Sequence, residues 1–144
     1  MPVIRVDAYH LKGYYPGQIL TTVGVEGNDE FFPIAYVVAG IENKDSWIWF
    51  LSLLIKDLGI TNGLSWVFIS DKQKGLIHAI AHVLPIAEHR MCVRHLYNNF
   101  RATHLGPTLK HMLWAAARAT TIPWWEAYMD KTKEKDLEAW KWLV

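Results

Sequence analysis

Two short runs of β-branched and aromatic residues are each followed closely by an aspartate. Residues 3–6 precede Asp7, and residues 66–69 precede Ser70 and Asp71. Such runs favour buried strands, and an intervening amphipathic helix favours a crossover that leaves the two strands parallel. Ligand sites in open α/β sheets collect at the carboxyl ends of parallel strands. We therefore expect Asp7 and Asp71, each just past its strand, to lie together.

The composition predicts a folded core and excludes several classes of protein. Hydrophobic residues make up 51% of the 144 and aromatics 13%, with eight Trp, which argues against disorder and fits one domain or an incomplete one. No apolar run approaches the roughly 18 residues of a membrane span, and the N-terminus lacks a secretory signal. The single cysteine, Cys92, cannot form an internal disulfide, which favours a reducing interior and a free thiol or metal ligand.

The remaining pattern predicts an α/β fold with a mixed sheet, made of a hairpin plus parallel strands, followed by helices. Residues 19–25 and 30–39 flank a turn at 26–29 and favour an antiparallel hairpin, with Pro33 at an edge or bulge. An amphipathic helix is expected from the cap Asn43 to Gly59. The other expected elements are a helix that follows Asp71, with its apolar pattern at 76–83, and runs to Pro85, a strand at 86–91 and helices at 96–100, 105–119 and 123–143.

The two aspartates suggest a site for a hard divalent cation. Neighbouring carboxylates repel each other unless a cation lies between them, and oxygen ligands suit Mg²⁺ or Mn²⁺. Asp7 is alternatively a turn residue, and Asp71 alternatively caps the next helix. Ser70 and Gln73 fit a capping box, which leaves Asp71 available for other work.

Charge is distributed unevenly along the chain. Residues 1–42 carry a net charge of −3, whereas residues 89–125 contain five cations, four histidines and no acid. Such a stretch is compatible with a DNA phosphate backbone, but so few charges favour ordinary surface cations that cover apolar neighbours. The cations are Arg90, Arg94, Arg101, Lys110 and Arg118.

The chain resembles the catalytic domain of plant Mutator-like element transposases over essentially its whole length. The resemblance rests on VDAYHLKGYYPGQILTTVGVEGNDEFFPIAYVVAGIENKDSWIWFL, WVFISDKQKGL, AEHRMCVRHLYNNF and LWAAARATTIPWWEAYM, in that order. It implies a ribonuclease-H-like fold and an Asp-Asp-Glu triad that binds Mg²⁺ or Mn²⁺ to cut and rejoin DNA at transposon ends. By the same resemblance, Asp7 and Asp71 are the first two acids of the triad, and the protein acts in the nucleus. Whether the intact protein forms a homo-oligomer is left open.

The sequence departs from the family pattern in two places. Ala8 stands where family members commonly have Gly, and the third acid of the family lies beyond a helical insertion that begins near Cys92. We therefore expect residues 1–90 to form a partial catalytic core and residues 91–144 to form a truncated insertion. On this interpretation both ends are cut, and the chain is a fragment that is inactive alone.

Cys92 and His95 match the family's Cys-x-x-His motif. On a helix, residues three apart share a face, which suggests a Zn²⁺ ligand pair; the alternative is a packed thiol and a hydrogen-bonded imidazole. His78 and His82 are expected to face solvent. Most of the tryptophans are expected to pack in the core or within the helical insertion rather than to stack on DNA bases (Trp47, Trp49, Trp114, Trp124, Trp125, Trp140 and Trp142).

Two functions other than an active transposase also remain open. Related plant families, such as the far-red-response regulators, resemble these transposases but act as DNA-binding transcription factors, and in that case both aspartates are inherited scaffold. The other alternative is a degenerate product without activity.

Overall fold

The computed structural model describes residues 1–28 and 30–144. The chain divides into two units, Met1–Cys92 and Val93–Val144. None of the helices in the described part of the chain combines the length and the apolar character that crossing a bilayer requires.

The first unit is built on a five-stranded mixed sheet. Strand β1 pairs antiparallel with β2, which pairs antiparallel with β3, whereas β4 and β5 run parallel to β1 in the order β3-β2-β1-β4-β5. The predicted α/β sheet with a hairpin and parallel strands is therefore confirmed. The elements are β1 (Val3–Leu11), β2 (Gly17–Val25), β3 (Phe31–Ala39), α1 (Lys44–Leu58), β4 (Val67–Ser70), α2 (Lys74–Val83) and β5 (Glu88–Met91).

Helices α1 and α2 supply one side of the core, against one face of the sheet. The side chains of Trp47 and Leu51 on α1 are fully buried, as is Phe68 on β4. The Asn43 side chain accepts from the Ser46 amide, and Gly59 ends α1 in the left-handed region at φ 65°, where a residue without Cβ is favoured. The predicted helix is confirmed at both ends.

Strand β3 forms one edge of the sheet. The β2–β3 register shifts between Thr22 and Val23, and Pro33 is paired with Val23 directly beside that bulge. Proline has no amide proton to donate, so an edge position beside a bulge suits it, as predicted. The predicted turn at 26–29 includes Asp29, which lies outside the described residues.

Several strand boundaries were predicted wrongly, among them the start of β2, which is Gly17 rather than Ile19. Strand β1 does not end before Asp7 but continues to Leu11, because β2 pairs with it along all nine residues. Strand β5 begins at Glu88 rather than at Ile86.

The second unit consists of helices α3 (Val93–Phe100), α4 (Pro107–Ala117), α5 (Ile122–Lys135) and α6 (Leu137–Leu143). Their core includes Phe100, Leu109 and Leu113. The single helix predicted at 123–143 is wrong, because Asp136 takes an extended conformation (φ −155°, ψ 103°) and ends α5. Its carboxylate then accepts from the Ala139 amide at 3.0 Å and begins α6, which is the usual role of an N-cap aspartate.

The tryptophans divide between core and surface. Trp47 is buried as predicted, but Trp49, Trp124 and Trp125 are exposed, so the core assignment is wrong for these three. His78 and His82 are exposed on α2, as predicted.

Candidate metal centre

The register of the parallel strands places Asp7 level with Asp71. Strands β1 and β4 pair from Val3 with Val67 to Arg5 with Ile69, and the same offset carried two residues further matches Asp7 to Asp71. Carboxylate oxygens of the two residues lie within 4.8 Å of each other, and both side chains are half-buried. The structure thus brings together the two acids that sequence analysis selected.

Asp7 is held within β1 rather than in a turn. Its Oδ1 accepts from the Ala8 amide at 2.9 Å, and its Oδ2 accepts from the Tyr9 hydroxyl at 3.3 Å. The alternative that Asp7 is a turn residue after the strand is therefore wrong. Because β2 pairs with β1 on both sides of this position, the main chain that carries the carboxylate is fixed by the sheet.

Asp71 lies in the turn between β4 and α2. Its Oδ1 accepts from the Gln73 amide at 3.1 Å, a bond typical of aspartate in turns. The N-cap of α2 is Gln73, whose side chain accepts from the Leu76 amide, so neither the Asp71 cap nor the Ser70 capping box is correct. Ser70 still belongs to β4 and cannot cap α2, since its hydroxyl bonds instead to the Asp71 carbonyl and to His89.

Glu42 is an acid near this pair that sequence analysis missed. It is half-buried between β3 and α1, and its Oε1 accepts from the indole Nε1 of the buried Trp47 at 3.2 Å. Burial raises the pKa of Glu42, and the negative charges of Asp71 and Asp7 raise it further, against the opposing effects of the Trp47 bond and His10. Strand β3 runs in the same direction as β1, because two antiparallel pairings separate them. An acid just past β3 therefore lies at the same end of the sheet as the carboxyl end of β1. The predicted hairpin already implied this strand direction, so it could have indicated Glu42.

Cys92 and His95 lie in different surroundings. Cys92 directly precedes α3 rather than lying on it, and its buried Sγ accepts from the Arg5 guanidinium at 3.6 Å. His95 lies on α3 in the second unit and is half-buried. The expectation of a shared helix face is wrong, because only one of the two residues is helical. Zn²⁺ binding by this pair stays a prediction.

The predicted DNA-binding cations are exposed, but they do not share one environment. Arg90 forms an exposed ion pair with Glu88 at 2.6 Å, so part of its charge is already compensated. In the second unit, Arg101 and Lys110 both lie over the Tyr97 ring, at 5.8 and 5.6 Å from its centre. Arg94 is exposed on α3.

The donor set at Asp7 and Asp71 suits a hard cation. Carboxylate oxygens are the ligands that Mg²⁺ and Mn²⁺ prefer, and the Gln73 amide occupies only one oxygen of Asp71. Two half-buried carboxylates at this spacing repel each other in the absence of a cation. The donor set, with Asp7 inside β1 and Asp71 just past β4, therefore has the chemistry that suits a divalent ion.

Comparisons with known proteins complete the description of the site. No curated protein matches the chain. A chain of the simian T-cell lymphotropic virus intasome in complex with PP2A regulatory subunit B56 gamma, solved by cryo-EM, is 12% identical, with a TM-score of 0.44 over 97% of this chain. This chain spans 46% of the length of that chain. The MULE transposase domain model matches residues 3–99, which include both aspartates. With more than half of its length matched, the chain belongs to the MULE transposase domain family.

Proposed function

We propose that this chain is part of a ribonuclease-H-like transposase catalytic domain in which Asp7 and Asp71 hold Mg²⁺ or Mn²⁺. The longer protein would use this site to cleave and transfer DNA strands at transposon ends, within the plant Mutator-like lineage that the sequence resembles. The observation that carries the proposal is the approach of the two carboxylates, from β1 and from the turn after β4, to within 4.8 Å. Membership of the MULE family supports it.

The chain's own contribution to this chemistry is to hold the carboxylates of Asp7 and Asp71 close together. The β1–β2 pairing holds the main chain at Asp7, and the turn bond from the Gln73 amide orients the carboxylate of Asp71. When bound, a divalent ion supplies activation of a water or hydroxyl and stabilisation of the leaving oxygen at phosphorus. Preorganised ligands favour binding because less conformational freedom is lost on association.

The family's third acid has no assigned position in this chain. Glu126 and Glu134 lie on α5 and Glu138 lies on α6, and we assign none of them to the metal site. We therefore propose that strand cleavage belongs to the longer protein in the nucleus and that the chain alone does not cut DNA.

The DNA contact proposed for the second unit involves Arg94, Arg101 and Lys110. Arg101 and Lys110 are exposed and flank one tyrosine ring, so a phosphate backbone would meet two cations at one place. Such contacts add affinity without sequence preference, and they weaken as salt rises. Arg90 contributes less in this proposal, because Glu88 already compensates its charge.

The metal site is tested by titrating Mn²⁺ into the 144-residue chain and following binding by calorimetry and electron paramagnetic resonance. The wild type should bind Mn²⁺, and the Asp7→Asn, Asp71→Asn double variant should lose that binding. A His78→Asn, His82→Asn double variant on the exposed face of α2 is the matched control and should bind as the wild type does. Equally weak binding by the wild type and the aspartate variant would contradict the proposal and favour the DNA-binding regulator alternative.

The DNA contact is tested by fluorescence anisotropy with duplexes of unrelated sequence at several salt concentrations. The Arg101→Ala, Lys110→Ala variant should bind all duplexes more weakly and show a shallower dependence on salt, by about one contact per cation removed. Lys56→Ala, an exposed cation on α1, is the control. An unchanged salt dependence in the double variant would remove this cluster from the DNA path.

A further inference from the structure

Ser70 is a buried hydroxyl with two hydrogen-bond partners. Its side chain is 1% exposed, and its Oγ lies 2.9 Å from the Asp71 carbonyl oxygen and 2.7 Å from Nε2 of His89. A hydroxyl has one proton, and a carbonyl oxygen only accepts. The Ser70 proton therefore goes to the Asp71 carbonyl, and Nε2 of His89 must be the donor to Ser70.

These bonds form a directed chain from β5 to the end of β4. Nε2–H of His89 donates to Ser70, and Ser70 donates to the main chain of Asp71. Strands β4 and β5 pair Phe68 with His89, so the imidazole lies diagonally across the ladder from Ser70. The Cys92 amide also donates to the Ser70 carbonyl at 2.6 Å. Strand β5 and the residue that follows it thus hold Ser70 through both its main chain and its side chain.

The peptide held in this way carries the carboxylate of the candidate metal site. Strand β4 ends at Ser70, so Asp71 has no ladder pairing of its own to orient it. The bond from Ser70 fixes the Asp71 carbonyl, and the bond from the Gln73 amide fixes its carboxylate. Partners that orient metal ligands from outside the ligand set commonly change metal affinity 10–100-fold when they are removed.

We propose that His89 is a positioning residue of the metal site, which acts through Ser70 to hold Asp71 where its carboxylate meets Asp7. This inference rests on the proposed function, because it assigns a role at the same site. The half-buried setting of His89 suits the role, since burial lowers its pKa and favours the neutral ring, in which one nitrogen donates and the other accepts.

Nuclear magnetic resonance of the ¹⁵N-labelled chain at pH 8 tests the hydrogen bond directly. Long-range ¹H–¹⁵N correlations should show the His89 proton on Nε2 in the wild type. In Ser70→Ala the bond is gone, and the Nε2 shift should move toward that of an exposed imidazole such as His82. A wild-type spectrum with the proton on Nδ1 would overturn the inference without any reference to metal.

Mn²⁺ affinity of substituted chains tests the positioning role. His89→Phe removes the donor while keeping a ring, and we expect it to weaken Mn²⁺ binding about tenfold. His89→Gln keeps an N–H donor and should recover most of that loss, whereas His82→Phe on the surface should change nothing. Urea unfolding separates a positioning role from a merely structural one. If His89 were merely structural, His89→Phe would lower the free energy of unfolding and leave the Mn²⁺ affinity unchanged.

The outcomes distinguish this inference from the proposed function. A wild type that fails to bind Mn²⁺ would overturn both. A wild type that binds Mn²⁺, with His89→Phe and Ser70→Ala folded and equal to it in affinity, would overturn only the positioning role of His89.

Discussion

Replacing Asp71 with asparagine should stabilise the metal-free chain, although it removes a residue of the candidate site. Carboxylate oxygens of Asp7 and Asp71 lie within 4.8 Å. Two unit charges at that distance repel by ~0.9 kcal/mol at the dielectric constant of water and by ~3.5 kcal/mol at an effective constant of 20. Both groups are half-buried, so we expect the free energy of unfolding to rise by ~1–2 kcal/mol in Asp71→Asn.

Asp71→Asn is suited to measuring the charge repulsion because it keeps the hydrogen bond from the Gln73 amide. Only Oδ1 of Asp71 accepts from the Gln73 amide, and the amide oxygen of asparagine can take over that bond. Asp7→Asn is less clean, since both oxygens of Asp7 accept hydrogen bonds, from Ala8 and Tyr9. Asp130→Asn, at an exposed position on α5, controls for the loss of one negative charge.

Urea unfolding followed by circular dichroism measures this effect, first with EDTA and then with saturating Mn²⁺. In EDTA, Asp71→Asn should be more stable than both the wild type and the control. In Mn²⁺ the order should reverse, because a ligand that binds only the folded state adds ~2.7 kcal/mol at a hundred times its dissociation constant. Equal stability of all three chains in EDTA would refute the inference that the two charges repel across the site.

Three further outcomes follow from contacts elsewhere in the chain. Trp47→Phe removes the indole donor to Glu42 and leaves space in the core, so urea unfolding should show a loss of ~1–3 kcal/mol; a smaller loss would mean that the core closes around the change. Asp136→Ala should cost ~1 kcal/mol in thermal unfolding because α6 loses its cap, whereas Asp136→Asn should stay near the wild type; equal loss in both would contradict a capping role. Burial lowers the pKa of His89, so in the pH range just below about 6.5 the imidazole is protonated in the unfolded chain but still neutral in the folded chain. Stability should therefore fall as pH drops through that range, and His89→Gln should remove this part of the dependence in urea titrations at pH 8, 6 and 5; parallel curves for the two proteins would contradict it.

Local signals predicted helix α1 well. Its apolar stripe, the Asn43 cap and the Gly59 stop act within a few residues of each other, so neither end depends on distant parts of the chain. Strand β1 is the opposite case. The four residues beyond Asp7 include no β-branched residue. They are strand because β2 pairs with them, which is a tertiary effect that overrides local preference.

The break at Asp136 was missed for a related reason. The residues around it are good helix formers, which favour one continuous helix, but a cap aspartate stabilises the start of α6 and ends α5 at the same residue. Similarly, Ser70 and Gln73 matched a capping box in spacing. In the structure Ser70 belongs to β4, and its hydroxyl accepts from His89 and donates to the Asp71 carbonyl. When a side chain has two possible hydrogen-bond partners, residue spacing alone does not show which one it bonds to.

The candidate site was predictable because it depends on the direction and order of the strands more than on where each strand ends. Parallel strands joined by a crossover bring their carboxyl ends to one edge, so Asp7 and Asp71 were expected to meet even though the end of β1 was misplaced. The two strands also differ in length. Strand β4 ends at Ser70 while β1 continues to Leu11, and their pairing extends only to Arg5 and Ile69. If the ladder had continued through Asp7 and Asp71, the two side chains would stand as ordinary cross-strand neighbours, and like charges there are unfavourable. Because the pairing stops first, hydrogen bonds from Ser70 and the Gln73 amide hold Asp71 instead of the ladder. In the proposed site, a cation between the two carboxylates would offset their repulsion.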